Sequence, residues 1–96
     1  MTASVSITAF GLLPNETTIG VGGRVTFVNN DSVPHDIQGG PDPDHRDCPE
    51  IDAVSFLTPG QSRATNPLTT VRTCEFHDHT AGEALHHSFV GRIVIR

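Results

Sequence analysis

Short apolar runs of period two, separated by turn residues, recur along the whole chain, and no segment carries a sustained i, i+3, i+4, i+7 apolar stripe. The pattern restricts the chain to an all-β fold. Residues 4–10 alternate Val5, Ile7 and Ala9 with Ser4, Ser6 and Thr8, and residues 11–15 break the run. Residues 17–21 read as a short strand ending at Gly22-Gly23, and 24–30 as a stronger one with Val25, Phe27 and Asn29 on a single face. Asn30-Asp31-Ser32 then turns the chain toward Pro34-His35. Further strands are expected at 53–57, 61–65, 68–76 and 89–95, with a turn at Pro59-Gly60. About seven short strands at these spacings predict a Greek-key β-sandwich. Residues 1–96 suffice for one such domain.

Composition narrows the function classes. With five Phe, no Trp and no Tyr, the core must rest on Val, Ile, Leu and Phe, and it is thin. A net charge of −5 with only six scattered Lys and Arg argues against nucleic acid, whose phosphates demand clustered cations. No apolar stretch approaches the ~20 residues of a membrane-spanning helix. There is no charged segment followed by an apolar one at the start, so an exported protein would have lost its signal peptide, with Met1 an added start. The two cysteines, Cys48 and Cys74, fit either one disulfide in an oxidising compartment or two reduced buried thiols. The chain has no Ser-His-Asp or Cys-His nucleophile arrangement, no phosphate loop and no dinucleotide fingerprint.

Its chemistry concentrates in six histidines, all between His35 and His87. Imidazole is the commonest side-chain ligand for copper, zinc, iron and nickel. His77, Asp78 and His79 stand at the end of the strand expected over 71–76, and in extended backbone i and i+2 point to one side. His77 and His79 are therefore expected to bind one ion together, with His35 arriving from the 24–30 strand as a third ligand. His45 is a fourth candidate. It lies in the 39–52 loop, whose two Gly, three Pro and five acidic residues rule out regular helix or strand. The Asp residues of that loop lack the spacing of a calcium-binding loop and read as a solvated face. The adjacent pair His86-His87 points apart in extended backbone and reads as surface, in a second long connection over 80–88 with a helical turn expected near 82–87.

The segment Gly22-Gly-Arg-Val-Thr-Phe-Val-Asn-Asn-Asp-Ser-Val-Pro-His35 resembles the one that delivers the first histidine ligand in cupredoxins. Phe76-His-Asp-His79 and the closing Val90-Gly-Arg-Ile-Val-Ile95 extend the resemblance over nearly the whole chain. It implies a Greek-key sandwich with copper at one end, an extracytoplasmic (periplasmic or secreted) location and a redox partner protein. Blue-copper sites combine two His, one thiolate and a weak axial ligand, often Met. In plastocyanin-like chains the ligand Cys stands just after the aromatic end of its strand, and here that position falls near Asp78. Cys74 would sit about 13 Å back along the strand at about 3.3 Å per residue, too far to coordinate. Phe89 occupies the usual Met position, and the only Met is Met1. The Phe-His-Asp-His run looks more like the strand end of multicopper oxidases and of histidine-rich cupredoxin-like proteins. The expected site is therefore copper on His35, His77, His79 and His45, with zinc as the alternative ion. With Cys74 excluded as a ligand, Cys48 becomes its natural disulfide partner. The expected role is copper carriage or electron transfer. The alternatives are a small redox enzyme with an open copper site, for which Asp78 or Glu83 supplies an acid or base, and a blue-copper carrier with Cys74 as ligand.

Overall fold

A computed structural model describes residues 2–39, 48–78 and 90–96. Nine strands are present among them: β1 (Thr2–Thr8), β2 (Gly11–Leu13), β3 (Glu16–Ile19), β4 (Arg24–Asn29), β5 (His35–Gly39), β6 (Ser55–Leu57), β7 (Ser62–Ala64), β8 (Arg72–Asp78) and β9 (Val90–Ile95). They form two mixed sheets, β2-β1-β4-β7 and β3-β9-β8-β5-β6. β1 runs parallel to β4 and β3 parallel to β9, while the other pairs are antiparallel. The expected sandwich is present. Val5, Ile7, Val25 and Phe27 of the first sheet join Ile19, Ile37, Phe76, Ile93 and Ile95 of the second in one buried cluster. Phe27 and Phe76 meet edge to face across the sheets, ring centroids 5.0 Å apart at 84°.

β6 and β8 start later than the expected 53–57 and 68–76, and the strands depart from expectation at three further places. Ala9 is exposed rather than buried, because β1 ends at Thr8 and the chain folds back into β2 where a break was expected. His35–Gly39 forms β5, whose buried His35, Ile37 and Gly39 alternate with half-buried Asp36 and Gln38. Its single large apolar side chain gives too weak a period-two signal. β8 runs two residues beyond Phe76, which brings His77 and Asp78 inside the strand.

Residues 48–54 dock against this second sheet. A 3₁₀ turn over Pro49–Ala53 buries Ile51, and a disulfide joins Cys48 to Cys74 with Cα atoms 5.6 Å apart. The Asp52 carboxylate accepts the Gly39 N–H at 2.7 Å, and Arg72 pairs with Glu50 at 2.9 Å. Gly39 is needed here, because a Cβ at that position would stand 2.5 Å from the Cys48 carbonyl oxygen.

Candidate metal centre

The chain crosses from the first sheet to the second between β4 and β5, and that crossing builds the site. Asn29 ends β4 fully buried, and its side chain organises the turn: Nδ2 donates to the carbonyls of Val33 at 2.9 Å and Leu57 at 3.0 Å, while Oδ1 accepts the Asp31 N–H at 2.9 Å. The Asp31 Oδ1 accepts the Ser32 N–H at 2.6 Å, a local turn closure typical of Asp. Its other oxygen lies 2.8 Å from His35 Nε2. His35 opens β5 at 4% exposure.

Strand register decides which side chains His35 meets. Ile37 stands opposite Asp78, and directly opposed residues point to the same side, so Asp78 shares the core-facing side with Ile37 and, by alternation, with His35. Asp78 Oδ2 contacts His35 Nδ1, and Asp78 Oδ1 accepts the Asp36 N–H at 3.1 Å. His77 is paired with Gln38 and Val90 and points to the other side of the sheet. The structure thus brings His35 together with Asp78 and Asp31, and it does not bring His77 to them. The expectation that His77 and His35 converge took β8 to end before His77; the extra two residues of strand fix its alternation. His45, His79, Glu83 and the His86-His87 pair lie outside the described residues. Among the described residues no group of three or more His, Cys, Asp or Glu is placed to hold a metal ion.

Electrostatics follow the geometry. Burial pulls the His35 imidazole toward its neutral form, but hydrogen bonds to Asp78 and Asp31 outweigh burial and hold its pKa above the ordinary 6.5. The same contact with His35, helped by the Ser32 N–H, holds the Asp31 carboxyl below its ordinary 3.8. A raised folded-state pKa means that the His35 contribution to stability is complete below about pH 6.5 and is lost as pH rises through the folded value. Thermal unfolding of the metal-free protein should therefore show stability falling as the pH rises through the folded-state value of His35. Substitution His35→Gln should flatten that slope; an unchanged slope would show that His35 is not the titrating group.

Chemically, His35 and Asp78 form a buried imidazole–carboxylate pair that favours a protonated ring, and a ring nitrogen becomes a metal donor only once it has given up its proton. A thiolate centre does not fit, since both cysteines are joined to each other. The aromatic register of Phe76 marks the Asp78 position in the sequence, while the ligand roles expected there fall to histidines. Asp31 reads from the sequence as a turn residue only. Its i, i+4 spacing from His35 was the available signal.

No protein-family model matches the chain, and no curated protein matches it. Solved structures do. A purple cupredoxin from Nitrosopumilus maritimus is 22% identical, covering 98% of this chain and 99% of that one at a TM-score of 0.71. Oxidised plastocyanin from Dryopteris crassirhizoma is 20% identical over 97% and 99% of the two chains at 0.73. A reduced amicyanin variant is 18% identical over 99% and 82% at 0.73. Two mixed sheets in this order, with this overlap along nearly the full length, give the chain a cupredoxin-like fold.

Proposed function

We propose that the protein binds copper at the end of the sandwich where β4 crosses to β5 and β8 ends, and that it carries copper or electrons. One observation carries this reading: a buried histidine, His35, is held by its Nε2 against Asp31 with its Nδ1 turned to Asp78, at the place where the cupredoxin resemblance expects the first ligand. A second-sphere carboxylate that fixes the ring and its tautomer is the usual support of a metal-binding histidine. Support for copper as the ion comes from the fold, since amicyanin of the same fold is known in a Cu(I) form. Zinc gains no such support. His79 and His45 remain the proposed sources of further imidazole nitrogens, so that the site is mainly nitrogen and oxygen. The extracytoplasmic location and a redox partner protein are proposed on the same resemblance, and the disulfide suits an oxidising compartment.

Loading with Cu(II) tests the reading. Binding should be stoichiometric and should bring little visible absorption, because intense blue or purple colour needs thiolate-to-copper charge transfer. Copper should leave as the medium is acidified, and the loss should begin at a higher pH than for a free imidazole, because Asp78 and Asp31 favour the protonated ring. Equilibrium dialysis across a pH series measures both. Failure to bind copper, or binding that is indifferent to acid, would remove the histidine centre.

A further inference from the structure

We propose that Arg63 guards the free edge of the second sheet, and that without it β6 pairs with the β6 of a second copy of this chain. The proposal is independent of any metal. Among the described residues β6 is paired on one side only, with β5, and so ends its sheet. Asp36 sends its N–H to Asp78 on the β8 side, and Phe56 stands opposite Asp36. In an antiparallel pair of that kind the two residues turn their backbone groups away from each other, so Phe56 presents its N–H and C=O to the open edge. Edge groups without a neighbouring strand are a template for one. The Phe56 side chain, 49% exposed, adds an apolar surface beside them.

Arg63 occupies that template. It lies on β7, the end strand of the first sheet. Its Nη1 reaches back over the β6–β7 connection and donates to Val54 O at 2.7 Å and Phe56 O at 3.2 Å, with Ser55 Oγ at 3.3 Å. One guanidinium thus consumes the outward Phe56 carbonyl and the Val54 carbonyl beside it, and a charge stands where a neighbouring strand would have to lie. Ser55 adds to the block. Its φ of 47°, in the left-handed region, bends the chain away from the extended form that pairing requires. The partner is a second copy because an antiparallel pair of two β6 strands is two-fold symmetric, with Phe56 opposite its own counterpart, so each copy offers the edge that the other needs.

Sedimentation equilibrium over a concentration series tests this on the parent chain, on Arg63→Met, and on Arg63→Met combined with Phe56→Lys, each checked for fold by circular dichroism. The parent should stay monomeric. Arg63→Met keeps an unbranched apolar stem and removes the donors; it should self-associate about tenfold or more tightly than the parent, since two carbonyls are left to find new partners. Adding Phe56→Lys places a charge on the open edge and should return the protein to a monomer. A folded Arg63→Met protein that associates no more than the parent, or an association that Phe56→Lys leaves unchanged, would overturn the proposal. Should Arg63→Met fail to fold, Arg63→Gln, which keeps one amide group as donor, decides: association that exceeds the parent's and is reversed by Phe56→Lys supports the guard, and a monomer refutes it.

Discussion

Substitution of His35 by alanine should lower Cu(II) affinity by about a hundredfold or more, a larger loss than the ten- to hundredfold typical of a residue that only supports a ligand. Two effects combine. The nitrogen donor disappears, and Asp78, fully buried on its side chain, loses the cation that faced it. Leaving a buried charge without its partner is costly, which loosens the place where the ion is proposed to sit. His77→Ala is the informative contrast. Its side chain lies on the other side of β8, so copper affinity should change far less. Metal titrations of the two variants below their melting temperatures make the comparison. Equal losses in both would mean that His77 reaches the ion despite the strand register.

Removal of the disulfide should be the most damaging change that leaves the metal chemistry intact. Cys48 and Cys74 are separated by 26 positions, and both are fully buried. By the chain-entropy account, closing a loop of this length contributes about 3 kcal/mol, so Cys48→Ser together with Cys74→Ser should cost about 2–4 kcal/mol in denaturant unfolding. That is a large share of the 5–15 kcal/mol typical of a domain. The docked segment would keep its Arg72–Glu50 pair and the Asp52 bond to Gly39, so the loss should appear as lowered stability rather than as a different fold. Because both sulfurs are bonded to each other, the proposed copper site predicts that the copper spectrum is retained. A spectrum that collapses in Cys74→Ser but not in Cys48→Ser would return Cys74 to the ion.

Much of this architecture is written in period-two alternation, and where it is not, the reason is physical. Val25, Phe27 and Asn29 declare β4 because three inward positions in a row carry side chains that the core or the turn consumes. β5 hides because its inward positions are His35, Ile37 and Gly39, only one of them a large apolar residue, and its backbone is stabilised by β6 and β8 rather than by its own hydrophobic burial. The disulfide was legible once the strand's aromatic was set at Phe76, since Cys74 then falls mid-strand. The partners of His35 were harder to read. Whether residue 77 or residue 78 faces the core depends on where β8 ends, and a one-residue change of alternation exchanges the two sides. Ile37, Gln38 and Gly39 of β5 fix that alternation through long-range pairing, which no local pattern records.

Electron paramagnetic resonance of the Cu(II)-loaded protein tests the central claim most directly, because one spectrum reports the bound ion, its geometry and any sulfur in its coordination sphere. The proposed centre on His35 should give a Cu(II) signal free of sulfur, with wide copper hyperfine splitting, coupling to imidazole nitrogen, and weakening of that coupling in His35→Ala. The compressed hyperfine splitting of a thiolate-bound ion, or a nitrogen signal unaltered by His35→Ala, would contradict it.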